Sequence, residues 1–155
     1  GKEFYDKSAE KSENELTRTF FKNMAAEEVI HKQIFQKIYD KIIAGANFPE
    51  VQLPLDEVKK AHEIFSDAMR ESGKTIKTSG SEQEALNYAM GLEKKTRDYY
   101  AEQSQNTDDP VEKNFYDTMA GEEQGHYIRL AEYNEFLTNP AGYFVMKERH
   151  SLDGA

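Results

Sequence analysis

Two segments of the chain share one helical pattern of apolar and polar positions. In the first segment, apolar residues recur at alternating steps of three and four around Glu28 and His31. In the second, which lies 95 residues later (123 − 28), they recur in the same way around Glu123 and His126. This spacing predicts two helices, each with a buried packing face that we call the seam. The predicted seam residues are Phe21, Met24, Glu28, His31, Phe35, Ile38 and Ile42 in the first copy and Tyr116, Met119, Glu123, His126, Leu130, Tyr133 and Leu137 in the second.

Breaks in this pattern predict four helices and a connecting segment. We expect helices from Gly1 to about Lys11, from a Ser12–Glu15 capping box to about Ala44, from a Ser81–Glu84 capping box to about Gln103, and from Asp109 to Asn139. Residues 46–80 are expected to form a long crossover with a short amphipathic helix, Leu55–Met69, and a polar loop at 73–80. The predicted fold is therefore all-α: a four-helix bundle of two helix hairpins, residues 1–44 and 96–139, joined by the crossover.

Each copy of the pattern places a Glu-x-x-His motif in the middle of the seam. Residues three apart on a helix share a face, so each carboxylate lies beside an imidazole. Glu93 falls on the seam of the third predicted helix. Glu27 and Glu122 fall outside the seam, and we expect them to be solvated.

Carboxylates on a buried face need a partner, because burying one is costly unless it is paired or binds a metal. We therefore predict a metal site. Its candidate ligands are Glu28, His31, Glu93, Glu123 and His126. Two Glu-x-x-His helices together with single-glutamate helices are the arrangement of di-iron and di-manganese carboxylate bundles. Oxygen and imidazole ligands suit iron or manganese better than copper.

Composition narrows the classes of function. The chain of 155 residues carries a net charge of −9, which argues against nucleic acid as a partner because phosphate binding needs a basic surface. It contains no cysteine, so it forms neither disulfides nor a thiolate-held metal centre. No apolar stretch approaches the roughly 18 residues of a membrane span, and no signal peptide is visible. We expect one cytoplasmic domain without a membrane partner, with a bundle at 1–140 and a tail at 141–155 packed on it. His62, in the crossover, is expected to be a packed or surface residue.

The sequence resembles the rubrerythrin-like branch of the ferritin-like superfamily across the four-helix portion. The residues that carry the resemblance are Glu28-Val-Ile-His31, Glu93 with Tyr100 two turns on, and Glu123-Gln-Gly-His126. The resemblance implies a ferritin-like bundle that holds two iron ions, with manganese or a mixed pair as alternatives. It implies that Glu28 and Glu123 bridge or chelate the metals and that His31 and His126 each cap one. By the same resemblance, Tyr100 and Tyr5 donate hydrogen bonds to ligand carboxylates from the opposite helix.

Two features are expected to distinguish this chain from rubrerythrins proper. Those proteins usually carry a C-terminal rubredoxin domain, and this chain has no cysteine to build one, so a separate protein such as a rubredoxin would supply electrons. They also have a glutamate one turn after the third-helix ligand, where this chain has Thr96.

The repeat places the counterpart of Glu93 three residues before Gly1 (93 − 95 = −2). We therefore expect the first helix to begin upstream and to supply a sixth ligand, a glutamate.

The sequence leaves three functions open. The leading hypothesis is a non-haem di-iron oxidoreductase that reduces hydrogen peroxide or dioxygen. The second is ferroxidase activity coupled to iron storage or buffering, and the third is a metal-poor structural bundle. We expect a homodimer, and the long crossover permits the two subunits to exchange hairpins.

Overall fold

The structure, a computed structural model, is built of α-helices. It describes the backbone of residues 1–52, 55–72 and 79–152, and the side chains of these residues except 55–62, 72 and 148–152. The helices are α1 (Lys2–Lys11), α2 (Glu15–Ile43), α3 (Leu55–Ser72), α4 (Gly80–Asn106), α5 (Pro110–Thr138) and α6 (Pro140–Leu152). The predicted all-α fold is confirmed, and α3 is the helix expected in the crossover. Within the described ranges, no helix is long and apolar enough to cross a membrane.

Two helix hairpins make up the bundle, as predicted. One pairs α1 with α2, and the other pairs α4 with α5. The crossover helix α3 contacts α2 through Phe65, whose ring centroid lies 5.1 Å from that of Phe20. The final helix α6 packs on α5 through Tyr143, 5.7 Å from Phe136 between ring centroids. Of the polar loop predicted at 73–80, residues 73–78 lie outside the described residues, as does the side chain of His62, whereas Ser79 caps α4 and Gly80 begins it.

The start of α2 differs from the prediction. Asn14, not Ser12, caps this helix, because its side-chain oxygen accepts hydrogen bonds from the backbone amides of Leu16 (2.8 Å) and Thr17 (3.4 Å). Ser12 instead ends α1, where its hydroxyl group donates to the carbonyl of Ser8 at 2.7 Å. Asparagine and serine are comparably good N-caps, so residue type alone does not show which of the two caps α2.

The start of α4 also lies two residues before the predicted capping box. The box is formed by Ser79 and Glu82: the Ser79 hydroxyl accepts from the Glu82 amide (3.3 Å), and the Glu82 carboxylate accepts from the Ser79 amide (3.1 Å). Glu82 is buried and also accepts from the backbone amide of Asn14 at 3.1 Å. It therefore joins the first turns of α2 and α4. The predicted partner Glu84 is exposed.

The core consists of two apolar clusters separated along the bundle axis by a polar layer. The first cluster includes Tyr5, Phe20, Phe21, Met24, Leu86, Leu130, Tyr133 and Phe136, and the second contains Ile34, Ile38, Phe115 and Met119. Along α2 the two clusters lie on either side of Glu28 and His31, and along α5 they lie on either side of Glu123 and His126. Predicted seam residues are buried or half-buried except Ile42. Ile42, in the last turn of α2, is 46% exposed.

Candidate metal centre

The five predicted ligand residues meet in the polar layer between the two apolar clusters. Three helices supply them: α2, α4 and α5. Their ligand atoms form two overlapping groups, each with all atoms within 4.8 Å of one another. One group is His31, Glu123 and His126, and the other is Glu28, Glu93, Glu123 and His126. Glu123 and His126 belong to both groups and therefore stand at the middle of the site.

The ring of His126 faces three carboxylates. Its Nδ1 atom lies 3.2 Å from Oε2 of Glu123, 3.4 Å from Oε2 of Glu93 and 3.6 Å from Oε1 of Glu28. The Nδ1 atom of His31 lies 3.7 Å from Oε1 of Glu123. The two imidazole rings are nearly parallel, with an angle of 17° and a centroid distance of 5.3 Å. Both Nδ1 atoms thus point toward the same carboxylate, one from each Glu-x-x-His helix.

Three polar atoms buried here have no hydrogen-bond partner among the described residues. They are Nδ1 of His31, Oε2 of Glu123 and Nδ1 of His126. Buried polar atoms without partners are rare, because losing water without a replacement costs free energy. Imidazole nitrogens and carboxylate oxygens are ligands that iron and manganese accept. The donor set therefore fits a divalent metal, and a bound ion would satisfy all three atoms.

Burial and neighbouring charges shift the pKa values of the titrating groups in this site in opposite directions. Burial raises the pKa of Glu123 to about 8, and it raises the pKa of Glu28 above its usual value. Burial also lowers the pKa of His31 to about 4. For Glu93 burial acts upward, but the nearby ring of His126 outweighs it and lowers the pKa. For His126 burial acts downward, but the carboxylates around its ring outweigh it and raise the pKa well above its usual value. Without a metal, protons at Glu123 and His126 offset part of the negative charge.

Glu27 is buried, so the prediction that it is solvated was wrong. Its two oxygens accept hydrogen bonds from the guanidinium group of Arg129, with Nη1 2.7 Å from Oε1, and its Oε2 lies 3.1 Å from Nε2 of His126. Burial acts to raise the pKa of Glu27, but these hydrogen bonds outweigh it and lower the pKa to about 2. Glu27 therefore stays charged. Its counterpart Glu122 is half-buried.

The sequence contains one indication of the contact between Glu27 and the His126–Arg129 pair, but the seam spacing alone does not predict it. A helix face next to the seam is expected to meet solvent, yet in this bundle that face of α2 packs against α5. Both Glu-x-x-His motifs begin with a Glu-Glu doublet, and Arg129 follows His126 by three residues. A cation one turn from a buried imidazole indicates that an acid lies nearby. Only the packing shows that Glu27, on another helix, is that acid.

The two tyrosines that the resemblance singles out have different surroundings. The hydroxyl group of Tyr5 donates a hydrogen bond to Oε1 of Glu93, and burial raises the pKa of this tyrosine, so it stays protonated. Tyr100 has no hydrogen bond to a carboxylate within the described part of the chain. Its ring stacks on Phe35, with 5.7 Å between centroids. Thr96 donates its hydroxyl hydrogen to a backbone carbonyl of its own helix at 3.1 Å.

Comparison with known protein families agrees with this geometry. The family model described as Rubrerythrin matches residues 1–133. The chain belongs to the rubrerythrin family. The match covers α1 to most of α5 and includes every candidate ligand. Searches of curated proteins and of solved structures found no match. Rubrerythrins are di-iron carboxylate proteins that typically bind iron, and the carboxylate and histidine cluster of this family member is compatible with that chemistry.

Proposed function

We propose that this chain is a non-haem di-iron oxidoreductase that reduces hydrogen peroxide or dioxygen with electrons from a separate donor protein. The observation that carries the proposal is the buried cluster of carboxylates and imidazoles. Three of its polar atoms have no hydrogen-bond partner among the described residues. The residues that would hold the two metal ions are Glu28, Glu93, Glu123, His31 and His126. When bound, ferrous ions supply electrons for cleavage of an O–O bond. Manganese, alone or mixed with iron, fits the same ligands.

Burial of the candidate ligands supports a small oxidant. The side chains of Glu123 and His126 are only 3% and 0% exposed. The apolar clusters above and below the polar layer exclude bulk water from the site. Hydrogen peroxide and dioxygen suit so enclosed a cluster better than a bulky organic substrate does.

Residues around the cluster hold the ligands in place for this chemistry. Tyr5 fixes Oε1 of Glu93 by donating a hydrogen bond. Glu27, held by Arg129, fixes Nε2 of His126. Groups oriented in this way before a metal arrives lose less freedom on binding. These 155 residues contain no cysteine and bind no iron through thiolates. A separate protein, such as a rubredoxin, remains the proposed electron donor.

Stopped-flow mixing of the ferrous protein with each oxidant tests this function. The metal-free protein is loaded with Fe²⁺ without oxygen and is then mixed with hydrogen peroxide or with dioxygen while ferric absorbance is followed. We expect faster oxidation by peroxide, and renewed oxidation after chemical reduction with the iron retained. The variant Glu123→Gln is the matched control, because Glu123 belongs to both ligand groups.

Two other results would contradict the proposal in different ways. Faster oxidation by dioxygen, with ferric iron accumulating beyond the binding sites, would indicate ferroxidase and storage activity. Light scattering supports that outcome if the protein forms a closed shell of many subunits, whereas the proposed oxidoreductase needs only a homodimer. Failure to bind iron or manganese would indicate a structural bundle.

A further inference from the structure

The internal repeat allows the surroundings of the two site histidines to be compared position by position. A shift of 95 residues relates His31 to His126 (31 + 95) and Glu27 to Glu122 (27 + 95). The same shift relates Arg129 to Ile34 (129 − 95). The two Glu-x-x-His motifs are therefore alike, but the residue one turn after the histidine is a cation in one copy and an alkyl side chain in the other.

Behind His126, a carboxylate and a guanidinium group fix the ring. Oε2 of Glu27 lies 3.1 Å from Nε2 of His126, and Arg129 donates to both oxygens of that carboxylate. A charged carboxylate only accepts hydrogen bonds, so Nε2 is the donor in this contact. The lone pair of the neutral ring is then on Nδ1, the atom that faces Glu123, Glu93 and Glu28. This contact therefore sets the orientation of His126 before a metal binds, and it leaves Nδ1 as the nitrogen that binds the metal once the ring is neutral.

Behind His31, no equivalent contact exists in the described part of the chain. Ile34, the counterpart of Arg129, is buried in the second apolar cluster and cannot pair with an acid. Glu122, the counterpart of Glu27, is half-buried and forms no hydrogen bond with His31. The ring of His31 is positioned by its stacking on the ring of His126 instead. Its tautomer and orientation are therefore less restricted.

We infer that the two metal positions, one beside His31 and one beside His126, bind metal unequally, and that Glu27 and Arg129 are positioning residues that make the position beside His126 the tighter one. The inference rests on the metal centre proposed above. A ligating histidine that donates its other N–H to a carboxylate is better oriented and more basic, and losing such a partner typically weakens metal binding by about 10–100-fold. The metal position beside His31 lacks this contribution, so it binds its ion second.

Anaerobic calorimetric titration of the metal-free protein with Fe²⁺ tests the inference without using activity. We expect two binding events in the wild-type protein. The variant Glu27→Ala should weaken the tighter event by about 10–100-fold. The repeat provides the matched control: Glu122→Ala, at the equivalent position, should change the affinity of either event by less than about threefold, because no contact to a ring is lost.

A second variant, Arg129→Met, tests the same contact in case Glu27→Ala does not fold. Arg129→Met keeps Glu27 but removes the group that holds it, so it should weaken the same event, and circular dichroism of the metal-free variants shows whether they fold. Equal affinity of both events in the wild-type protein, or equal losses from Glu27→Ala and Glu122→Ala, would overturn the inference and leave the metal centre standing. Absence of any binding by the wild-type protein would overturn both.

Discussion

Tyr5 and Glu93 form a hydrogen bond across the bundle, although 88 positions separate them in the chain. Tyr5 lies on α1 and Glu93 on α4, so the bond links the first hairpin to the second within the polar layer. Both side chains are buried. The contact thus orients a candidate metal ligand from the opposite hairpin.

Replacing Tyr5 with phenylalanine is expected to destabilise the metal-free protein. The buried carboxylate of Glu93 loses a donor, and a hydrogen bond to a charged group contributes about 2 kcal/mol. The variant Tyr100→Phe, at the counterpart position, is the control, because Tyr100 has no hydrogen bond to a carboxylate within the described residues. Its free energy of unfolding should change by less than about 0.5 kcal/mol. Urea denaturation of both variants measures the difference, and equal losses would contradict the prediction.

Removing Glu123 should affect both metal ions, whereas removing His31 should affect one. Glu123 belongs to both groups of ligand atoms, and His31 belongs to a single group. Elemental analysis after gel filtration should therefore find two metal ions per chain in the wild-type protein, about one in His31→Ala and fewer than one in Glu123→Gln. A Glu123→Gln protein that retains both ions would show that the ligand groups are assigned wrongly.

Uptake of Fe²⁺ by the metal-free protein should release protons and strengthen as the pH rises. Burial raises the pKa of Glu123 to about 8, and carboxylates hold the pKa of His126 well above its usual value. Both groups must be deprotonated to act as ligands, so at low pH Fe²⁺ competes with protons for them. Affinity should rise roughly tenfold per pH unit for each proton released between about pH 6 and pH 8. Calorimetry in buffers with different ionisation enthalpies counts these protons, and affinity independent of pH would refute the prediction.

Glu82 should matter for stability, although the site does not involve it. It is buried and accepts hydrogen bonds from the backbone amides of Ser79 and Asn14, at the starts of two helices. Glu82→Ala should lower the free energy of unfolding by about 1–3 kcal/mol, because two partly buried amides each lose this acceptor. The exposed neighbour Glu84 provides the control, and Glu84→Ala should be within about 0.5 kcal/mol of the wild-type protein. Thermal denaturation compares them, and similar melting temperatures would contradict the assignment.

Some helix boundaries were predictable because the residues that determine them act locally. Gly45 has φ 83°, a conformation that glycine adopts easily, and it follows α2 as expected. Asp109 and Pro110 begin α5 in the same predictable way. The start of α4 was not predictable, since Ser79 with Glu82 and Ser81 with Glu84 have the same spacing. Contact with Asn14 favours the first pair, and that contact requires the folded bundle.

The sequence by itself determined the all-α fold, the two hairpins and which carboxylates and imidazoles lie on the seam of each helix. Apolar spacing and the Glu-x-x-His motif act within a single helix, where residues three or four apart share a face whatever surrounds it. Only the tertiary structure decided that Glu27 is buried against His126 and Arg129, that Tyr5 bonds to Glu93 while Tyr100 stacks on Phe35, and that the two histidines have unequal support. These features depend on which neighbouring helix covers each face, and periodicity along one helix contains no information about its neighbour.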